Sequence, residues 1–285
     1  MSKIFSLDSS VIRNELKALA DGASHMYARS GFDSNFTSYD YIAKVGESLG
    51  LIYGYEFDGV YQYDDFYTDT NGNLVLKPGI TQNSRYSKDK KVGARPGVTK
   101  YKDQDGDGDI TTNDRTVIGN AMPKWFGGIT NTFEYKGFDL SFMFQFNYGN
   151  DIYNATRLYA TQSRSGRRNM LAEVADRWSP TNASNVVPAY DGYITNDVYS
   201  RFVEDGSFLR LKNLTLGYTL PKKWTNKFHA SRLRVYATGQ NLFCLSNYSG
   251  YDPEVNSLNN PMMPGLDWGA YPKSRVFTVG IDLQF

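Results

Sequence analysis

Apolar and polar residues alternate in several separate runs between Ile129 and Phe285. Ile129, Phe133 and Tyr135 alternate with Thr130, Thr132 and Glu134. Phe138, Leu140, Phe142, Phe144, Phe146 and Tyr148 follow, alternating with Asp139, Ser141, Met143, Gln145 and Asn147. A period of two sends successive side chains to opposite faces of a strand. The Lys136-Gly137 pair between these runs reads as a two-residue hairpin turn. The pattern returns at Leu209 and Leu211, which lie opposite Arg210 and Lys212. It slips phase at Asn213 and resumes at Leu214, Leu216, Tyr218 and Leu220. A slip of one residue is what a β-bulge produces. Leu233, Val235 and Ala237, then Phe277, Val279, Ile281, Leu283 and Phe285, complete the set. No charged residue falls on the apolar face of these strands.

The run from Phe138 to Tyr148 holds six apolar positions in 11 residues. That matches a tilted membrane-spanning strand, whereas strands of soluble sheets centre on about 5–6 residues. Connection lengths carry a second signal. If Phe285 ends at one rim, the short links 136–137 and 221–230 fall on that same side. The long segments 150–207 and 244–271 then both fall on the other, as outer-membrane barrels require. Aromatic residues at the strand ends, Phe133, Tyr135 and Phe138 at one and Phe146 and Tyr148 at the other, suit two interfacial girdles. The same aromatics would also fill the core of a soluble β-sandwich, so alternation alone leaves both constructions open.

The first half is less regular. Ile12, Leu16, Leu19 and Ala20 recur at helical spacing and predict a short amphipathic helix over Ser9–Ala23, capped by Ser9 or Ser10. VGESLGLIYGYEFDGVYQ, from Val45 to Gln62, reads as a strand with bends at its glycines. A polar stretch without clear period runs on to about Pro123. Residues 1–44 therefore stay unassigned, and the β pattern occupies 45–285.

Composition narrows the picture further. Among 285 residues there are 22 Tyr, 17 Phe and 26 Gly, a β-protein's usage. The net charge of +1 lacks the basic bias of a dedicated nucleic-acid binder, so no nucleic-acid partner is expected. No window holds the roughly 18 consecutive apolar residues of a membrane helix. The N-terminus lacks a signal peptide's apolar run. A mean hydropathy of −0.51 suggests a soluble chain, yet a membrane barrel hides its apolar residues at every second position and keeps a polar average. The one cysteine, Cys244, excludes an internal disulfide framework.

Asp103-Gln-Asp105-Gly106-Asp107-Gly-Asp109-Ile110-Thr-Thr-Asn-Asp114 fits a twelve-position calcium loop of the EF-hand type. Carboxylates occupy positions 1, 3, 5 and 12, glycine the sharp turn at 6, and Asp109 at 7 would donate its backbone carbonyl. Asp114 replaces the usual glutamate with a shorter arm. The other reading is a solvated Asp/Gly turn. Elsewhere chemistry is sparse. His25 and His229 have no partner motif, the Arg164, Arg167 and Arg168 cluster reads as a solvated loop face, and no catalytic motif is present. The chain is not expected to be an enzyme.

Several stretches resemble the late barrel region of SusC/RagA-type TonB-dependent outer-membrane transporters. They are DQDGDGDITTNDRTVIGNAMPKWFGGITNTFEYKGFDLSFMFQFNYGNDIYN, VGESLGLIYGYEFDGVYQ, SFLRLKNLTLGYTLPKKW, LRVYATGQNLF and PKSRVFTVGIDLQF, in that family's order. The resemblance implies an all-β fold, the C-terminal strands of a transmembrane antiparallel barrel of about 22 strands around a plug, with long extracellular loops. It also implies energy supplied through TonB, a SusD-like surface lipoprotein as lid, and oligosaccharides or peptides as cargo. The location implied is the outer membrane of a Gram-negative bacterium. The plug, the TonB box and the early strands are missing. About six strands are assignable, fewer than the roughly eight that close the smallest barrels, so a truncated or split reading frame is expected. Phe285 resembles the terminal signal read by the barrel-assembly machinery.

On this reading Glu134, Ser141, Gln145, Asn147, Arg210, Arg232, Arg234 and Asp282 line the lumen. Trp178, Tyr190, Tyr193, Tyr251 and Trp268 in the long loops are candidates for stacking on substrate. The competing hypothesis is a secreted, Ca²⁺-dependent β-sandwich that binds glycans with the same acidic loop and aromatics. A β-rich glycoside hydrolase would need a paired acid and base, and no motif selects one.

Overall fold

A computed structural model describes residues 2–34, 36–84, 94–161, 169–189 and 197–285. Strand β1 (Ser2–Ser10) opens the chain. The long first connection then builds β2 (His25–Ala28), β3 (Tyr41–Lys44), β4 (Leu51–Tyr55), β5 (Phe57–Val60), β6 (Phe66–Thr68), β7 (Leu74–Leu76), β8 (Thr99–Tyr101) and β9 (Arg115–Asn120). The hairpin β10 (Trp125–Tyr135) and β11 (Phe138–Tyr148) follows. A second long connection holds β12 (Asp151–Asn154), helix α1 (Ala155–Thr161) and β13 (Val203–Asp205). The chain finishes with β14 (Phe208–Thr219), the short helix α2 (Lys222–Thr225), β15 (Arg232–Ser246), β16 (Leu266–Asp267) and β17 (Val276–Gln284). Among the described residues no helix is long and apolar enough to cross a membrane; strands lie outside that test.

Six strands form one antiparallel sheet in the order β1-β10-β11-β14-β15-β17. Period-2 alternation explains its register. Phe133 pairs with Leu140, Phe142 with Leu214, Leu216 with Ala237 and Ala237 with Val279, so apolar residues meet apolar residues across the strands. The β10–β11 turn has positive φ at both Lys136 (48°) and Gly137 (87°), as a two-residue primed turn needs. The slip read at Asn213 is a bulge: the register jumps between Leu211 and Asn213, leaving Lys212 as the extra residue.

The sheet's two ends differ. Ser2 lies opposite Glu134, and Arg232 opposite Gln284, so both chain ends share one rim with the link 136–137 and the link 220–231. The connections 11–124, 149–207 and 247–275 all leave from the other rim. They pack together around a core that includes Tyr41, Ile52, Tyr101, Ile110, Tyr153, Leu158, Phe202 and Leu266, drawn from all three. The chain's tyrosine content is explained here. Two of the buried tyrosines bond their hydroxyls to loop carbonyls: Tyr41 donates to that of Pro264 at 2.9 Å and Tyr61 to that of Thr81 at 2.6 Å.

Two expectations are corrected. The predicted helix over Ser9–Ala23 does not form. Ser9 and Ser10 end β1, residues 11–19 carry no regular structure, and only Ala20–Gly22 makes a 3-10 turn. Long-range bonding overrides the helical spacing: β1 pairs along its whole length with β10, and the Leu16 backbone bonds with Glu47 and Gly46. The stretch Val45–Gln62 is split between β4 and β5 in the loop region, and the sixth strand of the large sheet is β1 instead.

Candidate functional site

The large sheet has two chemically distinct faces. On one, Phe5, Leu7, Ile129, Phe142, Phe144, Leu216, Val235, Val279 and Ile281 lie side by side in register. Their rings interlock, with Phe133 and Phe142 at 6.1 Å, Phe144 and Phe243 at 6.1 Å, and Phe138 and Tyr218 at 4.5 Å. Many of these side chains stay open: Val279 is 82% and Phe277 75% exposed. An uncovered apolar area of this extent needs a non-aqueous neighbour. Among the described residues Lys3 is the one charge on this face; it lies opposite Phe133 near the short-link rim, with its ammonium 5.4 Å from the Phe133 ring.

The opposite face is polar. All eight positions expected to line a lumen, Glu134, Ser141, Gln145, Asn147, Arg210, Arg232, Arg234 and Asp282, fall on it by register. Arg234 grips Asp139 with two bonds, at 2.9 and 2.5 Å, and Arg232 lies 3.9 Å from Asp282. Thr132 donates to Ser141 at 3.2 Å, and Thr215 pairs with Thr238 at 3.0 Å. Gly217 makes room for the ion pair, since a Cβ there would sit 2.5 Å from both Arg234 and Asp139. A concavity of about 690 Å³ opens beside this pair at the short-link rim.

The acidic loop lies in the first long connection. Carboxylate oxygens of Asp103, Asp105 and Asp114 come within 4.8 Å of one another. Gly106 turns with φ of 78°, and Ile110 is fully buried in the loop-region core, anchoring the loop from below. Asp103 accepts from the amides of Gly106 at 2.6 Å and Gly108 at 2.8 Å. The Gly108 bond, opposed by partial desolvation and reinforced by Gly106, holds its carboxyl below the usual range. Buried Asp114 accepts from the amides of Gln104 and Thr111, both at 2.7 Å, and so ties the loop's entry to its exit. That role suits the shorter arm. Asp107 accepts from the Asp109 amide, and Asp109 accepts from the Ser84 amide and hydroxyl, which places both outside the three-carboxylate group. Three hard oxygen donors around a glycine turn fit a calcium ion chemically.

The expected stacking residues are scattered. Trp178 is buried, its Nε1 donating to Gln62 at 2.9 Å. Trp268 is half-buried between Phe32 and Tyr159, with ring centroids at 5.1 and 5.0 Å. Tyr251 is 80% exposed. Tyr190, Tyr193 and the Arg164, Arg167 and Arg168 cluster lie outside the described residues. Phe285 is exposed beyond the end of β17. The sequence missed an ionic knot in the second connection: Arg157 bonds Glu173 at 2.7 and 2.8 Å and Glu204 at 3.1 Å, while Arg201 reaches Glu173 at 3.0 Å. Only tertiary folding brings these four together.

A wall of long antiparallel strands, apolar and open on one face, polar on the other, with its large loops at one rim, is the kind from which transmembrane β-barrels are made. Comparison with known proteins makes this specific. No family model matches. The chain is 35% identical, over 96% of its length, to TonB-dependent receptor P3 of Formosa agariphila, of which it covers 26%. It is 34% identical, over 67% of its length, to TonB-dependent receptor SusC of Bacteroides thetaiotaomicron, covering 18% of that protein. The solved RagAB peptide transporter superposes with a TM-score of 0.71 over 99% of the chain and 27% of its counterpart, at 22% identity. The chain is therefore homologous to the SusC-type TonB-dependent receptors and shares its fold with RagAB, while spanning about a quarter of the length of P3.

Proposed function

We propose that the chain forms six neighbouring strands in the wall of a TonB-linked outer-membrane importer of the SusC/RagA type. The observation that carries this reading is the sheet itself, with its uncovered apolar face toward lipid, its polar face toward a lumen, and every long connection at one rim. That rim would face outward, with a SusD-like lipoprotein closing over the loop region. The polar concavity near Arg234 would meet the plug that couples to the TonB complex. Phe285 would serve the barrel-assembly machinery, and the cargo would be an oligosaccharide or a peptide, with exposed Tyr251 the aromatic best placed to stack on it. Homology to receptors and likeness to a transporter support a role without catalysis. The secreted sandwich is disfavoured, because no second sheet packs on the apolar face among the described residues.

Fractionating native cells and immunoblotting with an antibody to Val276–Phe285 tests this. An outer-membrane band supports it, and the band's size tells whether these strands belong to a longer polypeptide. A species confined to the soluble fractions overturns it.

We also propose that Asp103, Asp105 and Asp114 hold a structural Ca²⁺ that stiffens the outer loops, with Asp107 and the Asp109 carbonyl as further donors. Calorimetric titration showing no uptake at millimolar Ca²⁺ would remove this claim.

A further inference from the structure

At the rim from which the long connections leave, the apolar face of the large sheet carries a groove of about 800 Å³. Trp125, Phe146 and Tyr148 line it from β10 and β11, and Leu209 and Leu245 from β14 and β15, so four neighbouring strands contribute. The lining is held in place. Trp125 packs edge-on against Phe146 at 4.6 Å and donates its Nε1 to the Ser9 hydroxyl. Leu209 is the register partner of both Phe146 and Leu245. Even so, Tyr148 is 60% and Leu245 61% exposed.

The groove changes character along its length. Past the strand ends it is lined by Asp205, Ser207 and Asn247. Ser207 Oγ accepts from the Gly149 amide at 2.9 Å, and the Ser207 carbonyl accepts from Ser246 Oγ at 2.9 Å. Asp205 accepts from the Ser207 amide at 2.9 Å and from the side chains of Ser207 and Asn247. These bonds, that of the Ser207 side chain first, hold its carboxyl below the usual range and keep it ionised. Among the described residues no cation pairs with it, and its register partner is a second carboxylate, Asp151. Lys124 offsets part of the charge on Asp151. One end of the groove is therefore anionic and the rest apolar. A polypeptide strand finds no open edge here, because β10, β11, β14 and β15 are all interior strands. An amphiphile matches both parts, with hydrocarbon along the apolar stretch and a cation at its end. Trp125 and Tyr148 stand where interfacial aromatics meet lipid headgroups.

We propose that this groove binds a membrane lipid whose headgroup carries a primary ammonium, with an acyl chain along Trp125, Phe146, Leu209 and Leu245 and the ammonium on Asp205. A primary ammonium donates hydrogen bonds to a carboxylate, which a quaternary one cannot. The proposal rests on the importer reading, in which this face meets lipid. The full chain, folded in detergent, is incubated with equal amounts of phosphatidylethanolamine and phosphatidylglycerol bearing the same acyl chains. Native mass spectrometry then counts the lipid retained after detergent exchange. Phosphatidylethanolamine should be retained about tenfold over phosphatidylglycerol. Asp205→Asn should remove that preference. Leu209→Trp, which fills the groove, should lower retention of both lipids, whereas Val279→Trp, on the same face but outside the groove, should leave it unchanged. Each variant is checked for folding by heat-modifiable migration. No retained lipid, equal retention of the two, a preference that outlasts Asp205→Asn, or equal effects of Leu209→Trp and Val279→Trp overturns the proposal. Fractionation stays an independent test: outer-membrane location without headgroup preference removes this site alone, and confinement to the soluble fractions removes the importer reading whatever lipid the chain retains.

Discussion

Lys136 and Gly137 show how much one pair of residues fixes. Both sit at positive φ, a region that costs a residue with a Cβ about 1–2 kcal/mol. At Gly137 a Cβ would also lie 2.7 Å from the Thr219 carbonyl oxygen. Gly137→Ala should therefore destabilise the folded chain by at least about 1 kcal/mol, read as a lowered urea midpoint in detergent. Asp103 makes a prediction in pH. Its carboxyl is held low by the Gly108 and Gly106 amides, so its ionised form favours the folded loop. That contribution is present above the unfolded value of about 4 and is lost as pH falls through the lower folded value. Hydrogen exchange at the Gly106 and Gly108 amides should accelerate relative to neighbouring loop amides over that acid range. Asp103→Asn should shift the transition and weaken any Ca²⁺ uptake.

Strands are where face identity has consequences. Val279 and Thr278 are adjacent in β17 yet point to opposite faces. An arginine at 279 would enter lipid at a cost of about 2–4 kcal/mol near the bilayer midplane, whereas one at 278 would join a polar wall. Val279→Arg should reduce the heat-modifiable, membrane-inserted fraction severalfold, and Thr278→Arg should leave it nearly unchanged. Equal effects would argue against the assignment of faces. The long strands were legible in the sequence because each carries its own alternation, and the bulge at Lys212 was legible as a phase slip. β1 was not. Ile4 sits on the polar face and Lys3 on the apolar one, so its pattern is blurred, and only its pairing with β10 identifies it.

At the scale of the whole molecule, the six-stranded sheet ends in two open edges, β1 and β17. Unpaired edges beside an uncovered apolar face invite association. The chain should aggregate on removal of detergent and remain dispersed in its presence, as sedimentation would show; a stable monomer in plain buffer would contradict the lipid-facing assignment. The loop region follows a different logic. Its core draws on three separate connections, Tyr41 of the first bonding Pro264 of the last, and the loop region buries Trp178 along with Tyr153. Aromatic side chains that look like ligand platforms in the sequence can be packing residues in the fold, and burial separates the two roles.

The sequence by itself determined the two-faced strands, the hairpin turn, the bulge, the one-sided placement of the long connections and the acidic loop, because each rests on spacing between near neighbours. Tertiary structure alone decided which segment supplies the sixth strand, how the three long connections share one core, and how Arg210, Lys212 and Lys273 converge on Asp252 and Glu254. Those depend on contacts between residues far apart in the chain, and no local period encodes them.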